Sequence, residues 1–161
     1  MSDRAEALIE RLGLEPHPEG GHYRRVFTSE AQVHPTDGRP VRAALSAIYY
    51  LLASDEVSRW HRVASDEGWH HCEGAPLELY ESDDEFTAVS VTRLGPLASD
   101  RAPFHTVRAG RWQAARSLGD YTLVACTVGP GFDFADFTLL ADRPEAAALM
   151  RQRQPLLVSL L

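Results

Sequence analysis

Along the first dozen residues the apolar positions Ala5, Leu8, Ile9 and Leu12 fall at the i, i+3, i+4, i+7 spacing, which predicts a short amphipathic helix over 3–12 closed by Gly13. The period then changes. For about 125 residues short runs rich in β-branched and aromatic residues, 22–29, 42–53, 57–63, 67–72, 76–82, 86–93, 106–110, 112–117, 121–128 and 137–141, alternate with Gly, Pro, Asp and Ser punctuation. Connections this short leave no room for crossover helices, so the strands are mostly antiparallel, as in a sandwich or barrel. Asp142 or Arg143, followed by Pro144 at a first-turn position where its missing N–H does no harm, starts a second helix reaching about Arg153.

Two runs are apolar on both faces. In AIYYLL (47–52) Tyr49 and Leu51 oppose Ile48, Tyr50 and Leu52, and in YTLVACTV (121–128) Leu123 and Ala125 oppose Val124 and Cys126. A sheet covered on one side only alternates more cleanly, so something covers the outer face: the helices and terminal segments, or a second copy of the chain. We expect one domain over 1–161 with a core barrel of about 22–141, and a homodimer.

Composition narrows the classes. Forty-four per cent hydrophobic and 24% charged residues are globular values, and no stretch approaches the roughly 20 apolar residues of a membrane-spanning helix. The charged, periodic N-terminus does not read as a secretion signal, and the expected location is the cytoplasm. A net charge of −7, with sixteen scattered Arg and no basic cluster, argues against nucleic acid. Cys72 and Cys126 have no CxxC spacing, so buried free thiols are expected rather than a disulfide or zinc site. No GxSxG, HExxH or GxGxxG motif is present, and His71 and Cys72, adjacent along a strand, diverge too far for a nucleophile and its base.

The segment HRVASDEGWHHCEG (61–74) carries the candidate chemistry. His61, Val63, Glu67 and Gly74 stand at the spacing of the first signature motif of the cupin superfamily, which asks for a histidine where Val63 stands. Arg108, Gly110 and Gln113 keep the frame of the second motif, with Gln113 in the place of its ligand histidine. HPEGGHYRR (17–25), AIYYLL, SRWHRVASDEGWHHCEGAPLEL (58–79), GRWQAA (110–115) and CTVGPGFDFADF (126–137) extend the resemblance. The chain resembles the small stand-alone proteins often called the fifth cupin family. The resemblance implies an all-β jelly-roll barrel of antiparallel strands, commonly a homodimer, with relatives that look like deoxysugar-nucleotide epimerases and germins. It implies no particular reaction.

Three readings of the pocket follow. His61, Glu67 and Gln113 are candidate metal ligands, but Val63 contributes nothing and an amide oxygen is a weak donor, so no metal or other cofactor is expected to be tightly held, although a divalent metal is conceivable. His61 and Glu67 instead form a candidate acid/base or orienting pair in a pocket for a small polar or sugar-derived ligand, giving an isomerase- or epimerase-like enzyme. The alternatives are a cupin that only binds a ligand or assembles, and a metal-dependent isomerase or oxygenase. If Glu67 faces inward, so do Trp69 and His71, while Gly68, His70 and Cys72 face outward. The family pattern keeps a histidine at the position of His70, so both His70 and His71 are candidate ligand contacts. Tyr49, Tyr50, Trp60 and Trp112 are candidate walls, and Glu19 with His22 candidate contributors from the Gly-rich turn 17–21, whose first role is to reverse the chain.

Overall fold

The computed structural model describes residues 1–161. Helix α1 (Asp3–Leu12) is capped by Ser2, whose hydroxyl accepts from the Ala5 N–H, and ends at Gly13 with φ +61°, a left-handed conformation that glycine adopts without steric cost. Short strand β1 (Glu15–Pro16) leads through the turn at 17–21 into β2 (His22–Thr28). A two-strand ribbon, β3 (Gln32–Val33) with β4 (Arg42–Ala43), precedes β5 (Ser46–Ala53), β6 (Val57–Val63), β7 (Asp66–Gly74) and β8 (Leu77–Ser82). The barrel is completed by β9 (Ser90–Leu94), β10 (Phe104–Val107), β11 (Trp112–Ser117), β12 (Tyr121–Gly129) and β13 (Phe137–Leu139).

These strands form a six-stranded sheet, β1-β2-β5-β12-β7-β10, facing a five-stranded sheet, β13-β6-β11-β8-β9, and every pairing of named strands is antiparallel. The result is the antiparallel barrel that the strand pattern predicts, in the jelly-roll form that the family resemblance implies. Helix α2 (Pro144–Arg153) begins on Pro144 and is followed by 3-10 turns over Pro155–Leu160. No helix is long and apolar enough to cross a membrane.

Alternation along the doubly apolar strands sorts their side chains into separate cores. Tyr50, Leu52, Val124, Cys126 and Trp69 meet Leu77, Leu79 and Ala115 between the sheets. Leu51 and Leu123 face outward and are covered by Ala5 and Leu8 of α1, with Tyr49 partly buried beside them. The helix therefore supplies the cover for this part of the outer face. A third cluster places Trp60, Trp112, Tyr80 and Phe86 under Ala147 and Met150 of α2 and under Leu160.

Three local expectations differ. The run 86–93 becomes a strand only from Ser90, because the Asp-rich turn at 83–85 continues into Phe86, a fully buried residue held at φ +50°. The run 106–110 ends at Val107, and the chain turns through Gly110 at φ +77°. Cys126 is buried as expected, but Cys72 is exposed: the register between β7 and β12 slips between Leu123 and Val124, leaving Cys72 as the extra residue of a bulge.

Candidate functional site

β6 and β7 bring the first-motif residues to the barrel interior. Past an irregularity in the pairing of β6 with β11, His61 lies opposite Gln113, and both are 1% exposed. On β7, Glu67 and Trp69 face inward, whereas Gly68 and His70 face out, where the His70 ring packs 4.6 Å from Phe104 and bonds Thr127. The three residues expected to converge, His61, Glu67 and Gln113, do so.

Gln113 is held in one orientation by elementary hydrogen-bond logic. The indole N–H of Trp69 can only donate, and it donates to Gln113 Oε1 at 3.0 Å. The amide NH2 of Gln113 is thereby turned to Glu67 and donates to Oε2 at 2.6 Å. Gln113 is thus a donor to Glu67, and its oxygen is already engaged.

The Gly-rich turn supplies what the motif lacks. Gly20 sits at φ +107° with an added Cβ falling 2.1 Å from the Val57 carbonyl, so only glycine lets the turn press against β6. Glu19, 7% exposed, enters the interior as a result. Its Oε1 accepts from Ser58 Oγ at 2.8 Å, and its Oε2 lies 3.3 Å from His61 Nε2 and 3.4 Å from His17 Nδ1. Tyr50 donates to the Gly20 carbonyl at 2.7 Å and fixes the turn from β5.

Protonation follows from these contacts. His61 Nδ1 lies 2.7 Å from the Arg59 carbonyl, which can only accept, so this nitrogen carries the hydrogen. His17 Nδ1 accepts from the Glu19 backbone N–H at 3.2 Å and so presents a lone pair. With His61 neutral, its Nε2 turns a lone pair to Glu19 Oε2, which suits a protonated carboxyl there, whereas the single lone pair of His17 Nδ1 is already taken by the Glu19 N–H. Burial acts in the same direction, pushing Glu19 up and both His17 and His61 down. Glu19 and His61 thus face one another at 3.3 Å, with His17 beside them.

Glu67 is pushed up to about 7, first by burial; Glu19 pushes in the same direction, while His61 and the Gln113 hydrogen bond pull against it. Burial likewise raises Tyr50 and Cys126 well above their usual ranges, so both stay neutral. The cavity between these groups spans about 470 Å³ including its mouth, of which about 30 Å³ admits the centre of a water molecule. His17, Glu19, Tyr50, His61, Val63, Glu67, Trp69 and Cys126 line it, and Tyr23, Arg25, Ile48 and Phe132 are among the other residues along its walls.

The remaining sequence candidates lie elsewhere. Tyr49 faces α1, since Tyr50 takes the inward position on β5. Trp112 and Trp60 belong to the cluster under α2, where Trp112 Nε1 donates to Asp84 at 2.8 Å and carries the Arg62 guanidinium 4.6 Å above its ring. His71 Nε2 lies 3.2 Å from the Ala75 carbonyl, and neither His71 nor His70 lines the cavity. His22 stands 3.2 Å from Glu56, outside the cavity. The sequence reading passed over His17, Ser58 and Arg25. His17 and Arg25 bracket the HPEGGHYRR block, but nothing in the pattern shows that this turn folds into the barrel.

The family profile of the Cupin superfamily (DUF985) matches residues 6–140. The chain belongs to this family. Among solved structures it is similar to a hypothetical protein from Leishmania major, with 30% identity over 92% of this chain and 97% of that one and a TM-score of 0.80. It is also similar to a protein from Shewanella oneidensis, with 34% identity over 100% of this chain and 98% of that one and a TM-score of 0.84. An oxalate decarboxylase from Bacillus subtilis, 12% identical, matches 92% of this cupin chain with 37% of its own length at a TM-score of 0.61, a likeness of fold alone. No protein of curated function matches the sequence significantly.

Cupin barrels commonly hold a divalent metal at the slots of His61, Val63, Glu67 and Gln113, and the donor set here does not fit one. Val63 presents methyl groups to the cavity and Gln113 presents N–H groups. No three His, Cys, Asp or Glu side chains are arranged to hold an ion.

Proposed function

We propose that this cupin is a small-molecule enzyme of proton transfer, isomerase- or epimerase-like, acting on a small polar carbonyl-containing or sugar-derived ligand without a tightly bound metal. The observation that carries this reading is Glu67, a buried carboxyl poised near 7, beside His61, which in turn faces the buried Glu19 carboxyl at 3.3 Å. As a carboxylate, Glu67 takes a proton from the carbon next to a ligand carbonyl. The C–H electron pair moves into the new C=C bond and the carbonyl pair onto oxygen, which takes a proton from the Glu19–His61 pair. Return of a proton to either face or to the neighbouring carbon completes an epimerisation or isomerisation with no net redox change. Gln113, locked by Trp69, orients Glu67.

The test is exchange of carbon-bound hydrogen in D2O for glyceraldehyde, dihydroxyacetone and pyruvate, followed by NMR. Glu67→Gln is expected to abolish exchange of at least one of these while its binding persists. Binding without exchange in the native protein would favour the second reading, a cupin that only binds its ligand, which the substitution of ligand positions by Val63 and Gln113 also suits. A homodimer is part of the proposal. The exposed Val26 and Phe27 on β2, with Val41 and Leu45 nearby in the chain, motivate it, since α1 covers only Leu51, Leu123 and their neighbours. Sedimentation at micromolar concentration decides it, with a dimer expected and dissociation on Phe27→Asp.

A further inference from the structure

The cavity wall contains a single permanently cationic side chain, Arg25 of β2. Other arginines nearby are engaged: Arg24 donates to the Leu12 carbonyl at 3.0 Å, and Arg39 and Arg42 both bind Asp136, at 2.9 and 2.8 Å. Arg25 forms no ion pair. It donates one hydrogen bond, to the Phe132 carbonyl at 3.2 Å, and its guanidinium lies 5.7 Å from the centroid of the Phe132 ring. One of five N–H donors is used, and the head is braced on an aromatic face. An exposed, unpaired guanidinium braced beside an apolar and acid/base pocket has its remaining N–H donors free to hold an anion.

Tyr23 and Arg25 lie on the same face of β2 and both line the cavity, and the Tyr23 ring packs edge-on 4.5 Å from His17, beside Glu19. The small free volume excludes a larger ligand without movement of the walls. Ile48, opposite Arg25 on β5, and Phe132 offer apolar sides to a short carbon chain.

We propose that the ligand is a short hydroxy or keto carboxylic acid, its carboxylate held by Arg25 at the cavity mouth and its hydroxyl or carbonyl end directed to Glu67 and His61. This rests on the proton-transfer reading of the same pocket and specifies its substrate class. Burial raises Glu19 and Glu67 above the usual carboxylate range, so the cavity carries less negative charge against an entering anion than two full carboxylates would, while the ionised fraction of Glu67 remains available as base.

The experiment is calorimetric titration with pyruvate and lactate and with their neutral isosteres pyruvamide and lactamide. The native protein is expected to bind at least one acid about tenfold or more tightly than its amide, a preference of the size that a charge-assisted bidentate contact supplies. Arg25→Ala is expected to erase the preference by weakening the acid alone, and Arg25→Lys to restore part of it. Arg25 is exposed, and a thermal melt verifies that each variant is folded. Equal affinity for acid and amide, persistence of the preference in Arg25→Ala, or no acid binding up to about 50 mM overturns the anchor. The two ideas fail separately. An amide that binds equally well and exchanges its carbon-bound hydrogen in a Glu67-dependent way leaves proton transfer standing without the anchor, whereas acids held through Arg25 that never exchange leave the anchor without the chemistry.

Discussion

At the scale of single residues, the site depends on which groups can only donate and which can only accept. Gln113 at a metal-ligand slot looks in sequence like a weakened ligand, yet Trp69 settles its orientation and makes it a donor to Glu67. Gln113→Leu would remove the acceptor of a buried indole N–H and the donor of a buried carboxyl. We expect a loss of about 2–4 kcal/mol in denaturant unfolding, since each unsatisfied buried group costs about 1–3 kcal/mol, and a Glu67 pKa higher than about 7 because a favourable contact to the carboxylate is gone. Glu67 itself links stability to pH. Its carboxyl is raised from an ordinary 4.5 to about 7 in the folded chain, so below 4.5 it is protonated in both states. Between those values the unfolded chain loses the proton first, and stability falls as pH rises, by roughly 3 kcal/mol in all before levelling above 7. Glu67→Gln should flatten that contribution; unfolding curves at pH 4.5, 6 and 8 check it, and an unchanged slope would show that Glu67 titrates normally.

At the scale of elements, α1 acts as the outer cover of β5 and β12. Leu8, 5% exposed, packs with Leu51 and Leu123, and Arg4 pairs with Glu73 of β7 at 2.7 Å. Leu8→Ala is expected to cost about 2–4 kcal/mol, in the range of buried leucine truncations, while Arg4→Ala, at a solvent-exposed ion pair, should leave the unfolding midpoint near that of the native protein. Urea midpoints separate the two. The Gly-rich turn is the other decisive element. Gly20→Ala forces a methyl group onto the Val57 carbonyl in a backbone conformation that alanine disfavours. Displacement of Glu19 should follow, read by NMR as a changed His61 imidazole environment in a protein that still folds.

At the scale of the whole molecule, the architecture was legible because short runs with period-two alternation admit few arrangements, and because the two-sided apolarity of 47–52 and 121–128 announces cover on both faces. The doubly buried strands did not reveal which face was interior. Tyr49 and Tyr50 are adjacent and chemically alike, and only the register of β5 between β2 and β12 assigns Tyr50 to the cavity. Trp112 carried a similar ambiguity beside Gln113, and the cover supplied by α2 resolves it. Of the site, the strand-borne His61, Glu67 and Gln113 were readable because they fall on slots of the two cupin motifs that the chain resembles. Glu19 was placed only through the family resemblance, and His17 not at all, since a turn's path depends on contacts far away in sequence. The ligand slots retain their geometry: Val63→His with Gln113→His should give a protein that binds one divalent metal per chain by elemental analysis, completing three imidazoles and one carboxylate. We expect the native protein to be purified without stoichiometric metal, and a metal lost on His61→Ala would overturn that expectation.

The arrangement around Glu19 has a spectroscopic consequence. A hydrogen on the Glu19 carboxyl facing His61 Nε2, in a space with room for little water, would be shielded from bulk exchange on the millisecond timescale that erases ordinary acidic protons from a spectrum. It should therefore appear as a discrete resonance far downfield of the amide envelope at neutral pH. Its linewidth would report how often the barrel breathes, and its disappearance in Glu19→Gln would assign it to the carboxyl between the two rings.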